Sequence, residues 1–134
     1  DLPKGGTVFI SIKDSDKGPL MLEAAQIVHD LGFSIVATRG TAAFLADNGI
    51  TASIVNKVYE GRPDISDKMK DRDIDLVFNT TEGAQSIEDS REIRRVALYD
   101  KIPYYTTAAG SRAAARAIAV NIDGDLDVFA LQSY

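Results

Sequence analysis

Cysteine is absent from the 134 residues. That excludes a disulfide framework and any zinc-thiolate site, and leaves the redox compartment unread. Histidine is almost absent. The single one, His29, lies inside an apolar-periodic helical stretch, so neither a histidine-based triad nor a histidine metal site can be assembled, and no metal site is expected. Basic residues are outnumbered: 15 Lys and Arg against 20 Asp and Glu leave a formal charge of −5 and a pI near 4.8. Such a field draws in neither nucleic acid nor an anionic membrane, so any anion has to be held by a local pocket. No apolar run approaches the ~18 residues of a spanning helix, and the N-terminus lacks the basic-then-apolar layout of a signal peptide. A soluble, cytoplasmic protein is the expectation. The opening run Asp1-Leu2-Pro3-Lys4-Gly5-Gly6 has no initiator methionine, which fits a processed tag or a domain cut from a longer polypeptide.

What is present suits one core. With 45% apolar content, residues 1–134 are read as a single domain. Thr7 to Ile12 reads as a buried strand, and Asp14 to Pro19 as a loop. Leu20 to Leu31 carries a helical stripe closed by Gly32. Ser34 to Ala37 is a second strand. Thr41 is placed as the cap of a helix running to Asp47, which Asn48-Gly49 ends. Ala52 to Val55 is a third strand, and Asn56 to Pro63 the longest loop-like stretch. A short polar helix near Ser66 to Lys70, a fourth strand ending at Asn79, and a helix from about Ile87 to Tyr99 follow. A fifth strand at Ile102 to Tyr104 and an Ala-rich helix from Ser111 to Val120 complete the regular part. Asp123-Gly124-Asp125 reads as a turn, and Leu126 to Leu131 as a last strand or a tail packed on the body. Strand–helix alternation of this kind gives an α/β fold, a parallel sheet with helices on both faces.

Small hydroxylated residues recur where strands give way to helices. The clusters are Thr38-Arg39-Gly40-Thr41, Asn79-Thr80-Thr81-Glu82-Gly83 and Tyr105-Thr106-Thr107-Ala108-Ala109-Gly110-Ser111. All three fall at one edge of a parallel sheet, where open α/β sheets bind ligands. Hydroxyls, small side chains and helix N-termini together suit a phosphate. Thr41 and Ser111 can equally be plain N-caps, but capping alone does not call for Asn79-Thr80-Thr81 as well as Thr38. Lys57, directly after the third strand, and Lys17, in the first strand–helix loop, are the cations placed to join such a site. A solvated surface lysine is the alternative for each.

The acids are less specific. Glu60, Asp64 and Asp67 lie in or beside the long loop, where a carboxylate can act as a base or stay solvated. Asp89, near a helix start, can complement the helix dipole or accept from a ribose hydroxyl. Arg91, Arg94 and Arg95 form a basic patch, either paired with Glu88 and Glu92 or in contact with another domain.

Three blocks of residues resemble a known family. Asn79-Thr80-Thr81-Glu82-Gly83 running on through Ile87-Glu88-Asp89-Ser90-Arg91 to Ile93-Arg94-Arg95-x-Ala97-Leu98 is similar to the C-terminal allosteric domain of the carbamoyl-phosphate synthase large subunit. Ala37-Thr38-x-Gly40-Thr41 with Val55-Asn56-Lys57-Val58-x-Glu60-Gly61-Arg62-Pro63, and Phe9-Ile10-Ser11-Ile12-x-Asp14-x-Asp16-Lys17, agree in the same order. The resemblance covers almost the whole chain. It implies a methylglyoxal-synthase-like fold, a flavodoxin-like five-stranded parallel sheet, and a fragment of a longer chain.

The resemblance further implies a non-catalytic domain that binds nucleotide monophosphate effectors. It biases ATP-dependent carbamoyl phosphate synthesis, for arginine and pyrimidine biosynthesis, in synthetase domains elsewhere in the polypeptide. A glutaminase small subunit is the implied partner, and ATP with Mg or Mn the implied cofactor of the parent enzyme, with none in this fragment. Carried over position by position, Lys17, Thr38, Gly40, Thr41, Lys57, Asn79, Thr80 and Thr81 would surround the effector phosphate, and Asp89 would bind the ribose. Uridine monophosphate as inhibitor and inosine monophosphate as activator are the implied effectors. Thr106 matches a position associated with ornithine, half of whose site would lie outside this chain. The animal enzymes that respond to N-acetylglutamate lack the Asn-Thr-Thr-x-Gly pattern seen here.

Relatives of the same fold offer other readings. Methylglyoxal synthase needs an aspartate after a Gly-Gly pair and a histidine in the loop after strand four. Here Asp64 follows Arg62-Pro63, and residues 80–100 contain no histidine. The cyclohydrolase domain of purine synthesis is expected to show Lys-Thr-Leu-His-Pro where this chain has Asn56-Lys57-Val58-Tyr59-Glu60. A free-standing nucleotide-sensing protein is the third alternative.

Overall fold

Alternating apolar residues in the first strand point in two directions, and both directions are buried. In the computed structural model β1 (Thr7–Ser11) sends Val8 and Ile10 into one core and Phe9 into another. A strand covered on both faces is the mark of a parallel sheet flanked by helices. The structure describes residues 2–55, 65–70, 73–80 and 84–132, with the backbone alone for residues 66–67, 70, 84–89 and 124–132.

After β1 a single 3₁₀ turn (Asp14–Asp16) leads to α1 (Pro19–Asp30), and β2 (Ser34–Ala37) and α2 (Arg39–Asp47) follow. β3 (Ser53–Ile54), α3 (Ile65–Lys70), β4 (Leu76–Asn79), α4 (Ala84–Asp100), β5 (Tyr104–Tyr105) and α5 (Ala108–Gln132) complete the order. The five strands form one parallel sheet in the order β3-β2-β1-β4-β5. The expected flavodoxin-like architecture, a five-stranded parallel sheet between helical layers, is therefore present. Because β2 leaves β1 on one side and β4 on the other, strand order reverses between β1 and β4. That reversal opens a crevice at the carboxyl ends of those two strands.

The helices divide between the faces according to their apolar stripes. Met21, Ala24, Ala25 and Val28 of α1, Ala42 and Leu45 of α2, and Ala114, Ala115 and Ile118 of α5 share a cluster with Val8, Ile35, Leu76 and Phe78. Ile65 and Met69 of α3 and Ile93, Val96 and Ala97 of α4 cover Phe9 and Val77 on the other face. Glu23 of α1 and Arg116 of α5 join the two neighbouring helices by an ion pair. None of the described helices is long and apolar enough to cross a membrane.

Three helices end in one way. At α1, Gly32 N–H donates to His29 C=O and Phe33 N–H to Val28 C=O; at α2, Gly49 and Ile50 repeat this on Ala46 and Leu45. Such a paired closure needs a residue of left-handed conformation just past the helix, supplied by Gly32 (φ 94°) and Gly49 (φ 78°). α4 closes alike, with Lys101 N–H on Leu98 and Ile102 N–H on Ala97, yet the left-handed residue is Lys101 itself, at φ 59°.

Several sequence expectations shift. α2 begins at Arg39 with Thr38 in the cap position, so Thr41 is not the cap but a first-turn residue buried against β1. Ser111 is likewise inside α5, and Thr107 caps that helix, its Oγ1 accepting from Gly110 N–H at 3.0 Å. The turn expected at Asp123-Gly124-Asp125 and the last strand at Leu126 to Leu131 are instead α-helical, as α5 runs on to Gln132. Gly124 costs such a helix only about 1 kcal/mol relative to alanine, while propagation returns one hydrogen bond per residue.

Candidate functional site

β1 and β4 end in the polar residues Ser11 and Asn79, and Thr38 directly follows β2, so all three stand at the sheet's carboxyl edge. Thr38 follows β2, Thr41 lies one turn into α2, Asn79 ends β4 and Thr80 follows it; all four are buried. Buried polar groups require partners, and the partners of the three threonines lie largely on β1 and its loop. Thr41 Oγ1 accepts the Ile12 N–H at 2.9 Å and the Thr38 hydroxyl at 3.2 Å. Thr38 Oγ1 is 3.4 Å from Ser11 Oγ. Thr80 N–H donates to Ser11 C=O at 2.9 Å, and Thr80 Oγ1 accepts from Lys13 N–H at 2.8 Å.

The direction of these bonds matters chemically. A threonine hydroxyl has one proton and two lone pairs. Thr41 has both lone pairs engaged, by Ile12 and Thr38, so its remaining capacity is as a donor. With Thr38 donating to Thr41, Ser11 becomes the donor to Thr38, and the three hydroxyls polarise one another in a single direction. The relay Ser11–Thr38–Thr41 thus ends on a proton at the foot of α2.

The same helix end carries positive potential. No side chain of Thr38 caps α2, so first-turn N–H groups that lack an intrahelical partner face the edge, where the helix dipole is positive. Lys17 closes this corner from the 3₁₀ turn. Its Nζ lies 3.5 Å from where a Cβ on Gly40 would stand, an ordinary contact distance, and 2.7 Å from Asp14 Oδ1. Gly40 itself is exposed. An ammonium resting where the first turn of α2 lacks a side chain, at Gly40, is an arrangement that suits an oxyanion.

Asn79 belongs to the other side of the edge. Its Nδ2 donates to Tyr104 Oη at 2.7 Å and to Ser90 Oγ of α4 at 3.0 Å. The Tyr104 ring lies under the Arg94 guanidinium, 5.4 Å from ring centre to Cζ, a cation–π contact. Residue by residue, the structure brings Lys17, Gly40, Thr38 and Thr41 together at the foot of α2, joins Thr80 to them through β1, and turns the Asn79 amide toward α4. Thr106 is exposed just after β5 on the same edge. Lys57, Thr81, Glu60 and Asp64 lie outside the described residues, as do the side chains of Asp67, Glu88 and Asp89.

Three residues enter the network without having been singled out as site residues: Ser11, Ser90 and Tyr104. Tyr104 pairs in register with Val77, two residues before Asn79, so the period of two places Tyr104 and Asn79 on one face. Once β4 and β5 are known to be neighbours, that signal is available. His29 sits far from the edge in the last turn of α1, beside Asp30. A cleft of about 180 Å³ at the opposite, amino edge is lined by Ile74, Asp75, Asp100, Lys101 and Ile102, none of them a candidate residue.

A family model described as an MGS-like domain matches residues 20–106. The chain is 51% identical over all of its 134 residues to the carbamoyl phosphate synthase large chain of Rhizobium meliloti (strain 1021), of which it covers 11%. It is 48% identical over its full length to the large chain of Mesorhizobium japonicum, again covering 11%. Over 133 residues, 99% of the chain, it is 49% identical to that of Myxococcus xanthus, covering 12%. The chain thus spans about a tenth of the length of these curated relatives.

Proposed function

The chain belongs to the MGS-like domain family, and on that premise we propose that it is the regulatory domain of a carbamoyl phosphate synthase large chain, binding a nucleoside monophosphate by its phosphate. The observation that carries this reading is Lys17 Nζ resting on the exposed first turn of α2 at Gly40. An incoming phosphate would meet that ammonium and the first-turn N–H groups, and Thr41, next in sequence to Gly40, would offer the proton at the end of its relay. Charge-assisted bonds of this type are about twice as strong as neutral ones. Lys57 and Thr81 would add to the phosphate contacts and Asp89 would take the ribose, with Thr38, Asn79 and Thr80 holding the edge in shape.

Identity of 48–51% across 99–100% of this chain, to about a tenth of each of three large chains, supports placing this pocket within a synthase. There its role is to report nucleotide levels to the synthetase domains that make carbamoyl phosphate from ATP for arginine and pyrimidine synthesis, alongside a glutaminase subunit. Those domains, and not this one, use ATP with Mg or Mn. Ornithine at Thr106, and a cytoplasmic location, belong to the same proposal.

A thermal-shift and calorimetric screen against uridine monophosphate, inosine monophosphate, inorganic phosphate, ornithine and dihydroxyacetone phosphate tests it. A ligand at a hundredfold excess over Kd stabilises the fold by about 2.7 kcal/mol, and both nucleotides should do so. Release of methylglyoxal from dihydroxyacetone phosphate well above the buffer rate would overturn the reading in favour of a phosphate-eliminating lyase.

A further inference from the structure

α4 has two faces, and only one of them is covered. Ile93, Val96 and Ala97 pack into the core. Arg91, Arg94, Arg95, Leu98 and Tyr99, spaced three and four apart along one stripe, all face outward. Leu98 is 75% and Tyr99 87% exposed, and they are two of only four large apolar side chains so exposed among the described residues. Single exposed apolar residues are ordinary. Two side by side, bordered by Arg91, Arg94 and an Arg95 that Glu92 one turn earlier already holds at 2.7 Å, in a chain of net charge −5, combine the apolar and arginine character that interface centres favour.

We propose that this stripe of α4 docks onto an acidic, partly apolar surface of another domain of the same polypeptide. The inference rests on the reading above that the chain is part of a synthase large chain, whose relatives hold roughly nine-tenths of their length outside the matched span. Charge sets the chemistry of the partner: a carboxylate opposite Arg91, another displacing or joining Glu92 at Arg95, and an apolar recess for Leu98 and Tyr99. The helix is well placed to feel the anion site, because Ser90 and the Tyr104 ring beneath Arg94 both hold the Asn79 amide. Docked face and ligand edge therefore share one rigid element.

The test is thiol labelling of the full-length polypeptide, resolved by site with mass spectrometry, in Leu98→Cys and Tyr99→Cys variants. Each rate is compared with that of the same cysteine in the urea-unfolded chain. Docking predicts at least tenfold slower reaction at both positions, and recovery of fast labelling when Arg91→Glu and Arg95→Glu are added. Less than tenfold slowing overturns the proposal. Slowing that vanishes on dilution identifies a second copy as the occupant, and slowing that survives charge reversal identifies a partner that is not acidic; either result overturns it as well. No nucleotide is present in this experiment, so failure of nucleotide binding is read separately, by calorimetry, and the two failures stay distinct.

Discussion

The Thr41 hydroxyl accepts the Ile12 backbone N–H at 2.9 Å, tying the first turn of α2 to the end of β1 across 29 residues of sequence. Both partners are buried. This bond fixes where the foot of α2 stands relative to the central strand, and so where the candidate anion site opens.

Thr41→Val keeps the shape and removes the acceptor, leaving the buried Ile12 N–H without a partner. An orphaned buried donor costs about 1–3 kcal/mol. Urea denaturation should show that loss, with Thr41→Ser recovering most of it. Equal stability of Thr41→Val and the parent chain would mean that water or a relaxed backbone satisfies Ile12.

Lys17→Ala should separate ligand binding from folding. Its pair with Asp14 is a surface ion pair, worth little to stability, so the melting temperature should barely move. Affinity for uridine monophosphate and inorganic phosphate should fall roughly 10–100-fold, the equivalent of one charge-assisted hydrogen bond. Calorimetric titration checks this, and an unchanged Kd for both ligands would return Lys17 to the role of a solvated lysine.

Lys101→Gly is expected to stabilise the protein. Lys101 performs at the end of α4 what Gly32 and Gly49 perform at α1 and α2, but with a Cβ in a left-handed conformation. That costs roughly 1–2 kcal/mol, part of which glycine gives back through its freer unfolded chain. A net gain of about 0.5–1 kcal/mol should appear in denaturation midpoints. Lys101→Ala, which retains the Cβ, should show no comparable gain.

How legible was this in the residues? Strand and helix positions are plain where the apolar period is strong, as in Phe9-Ile10 and in the stripe through Ala24 and Val28. Helix starts are harder. Thr38 and Thr41 both satisfy the preference for a capping hydroxyl, and only the tertiary bond from Ile12 shows that Thr41 is spent elsewhere. The same contest misplaces the α5 cap on Ser111, where Thr107 and Gly110 form it. The convergence of Thr38, Thr41 and Thr80 on one edge follows from sheet order and was open to sequence reasoning. That Asn79 turns toward Tyr104 was not, since it depends on β4 and β5 being neighbours.

Acid should weaken the contact between α1 and α5. The Arg116 guanidinium, hydrogen-bonded to Glu23, holds that carboxyl below its ordinary value of 4.5. A carboxylate with a depressed folded pKa contributes stability that is present above the unfolded value and is lost as pH falls through the folded one. Stability of the parent chain should therefore drop below about pH 4.5. In Glu23→Gln this part of the drop disappears, so its urea midpoint should change less between pH 5 and pH 3. Parallel pH profiles for the two proteins would remove the pair from the account. Because both side chains are partly exposed, the difference should also shrink in high salt.

The place of β1 in the middle of the sheet carries a kinetic consequence. β1 meets β2 as soon as α1 has crossed over, but Val8 reaches Leu76 only after everything between them is enclosed. Loop closure grows dearer by about 0.6 kcal/mol for each doubling of length. The unit from β1 to α2 is accordingly the natural folding nucleus, and β4, α4 and β5 join late. Truncating Val28 should then chiefly slow refolding, while truncating Val96 should chiefly speed unfolding, a contrast that stopped-flow chevrons of Val28→Ala and Val96→Ala would read directly. The ligand edge lies between the early and the late half, so it comes into being only with the last step of folding.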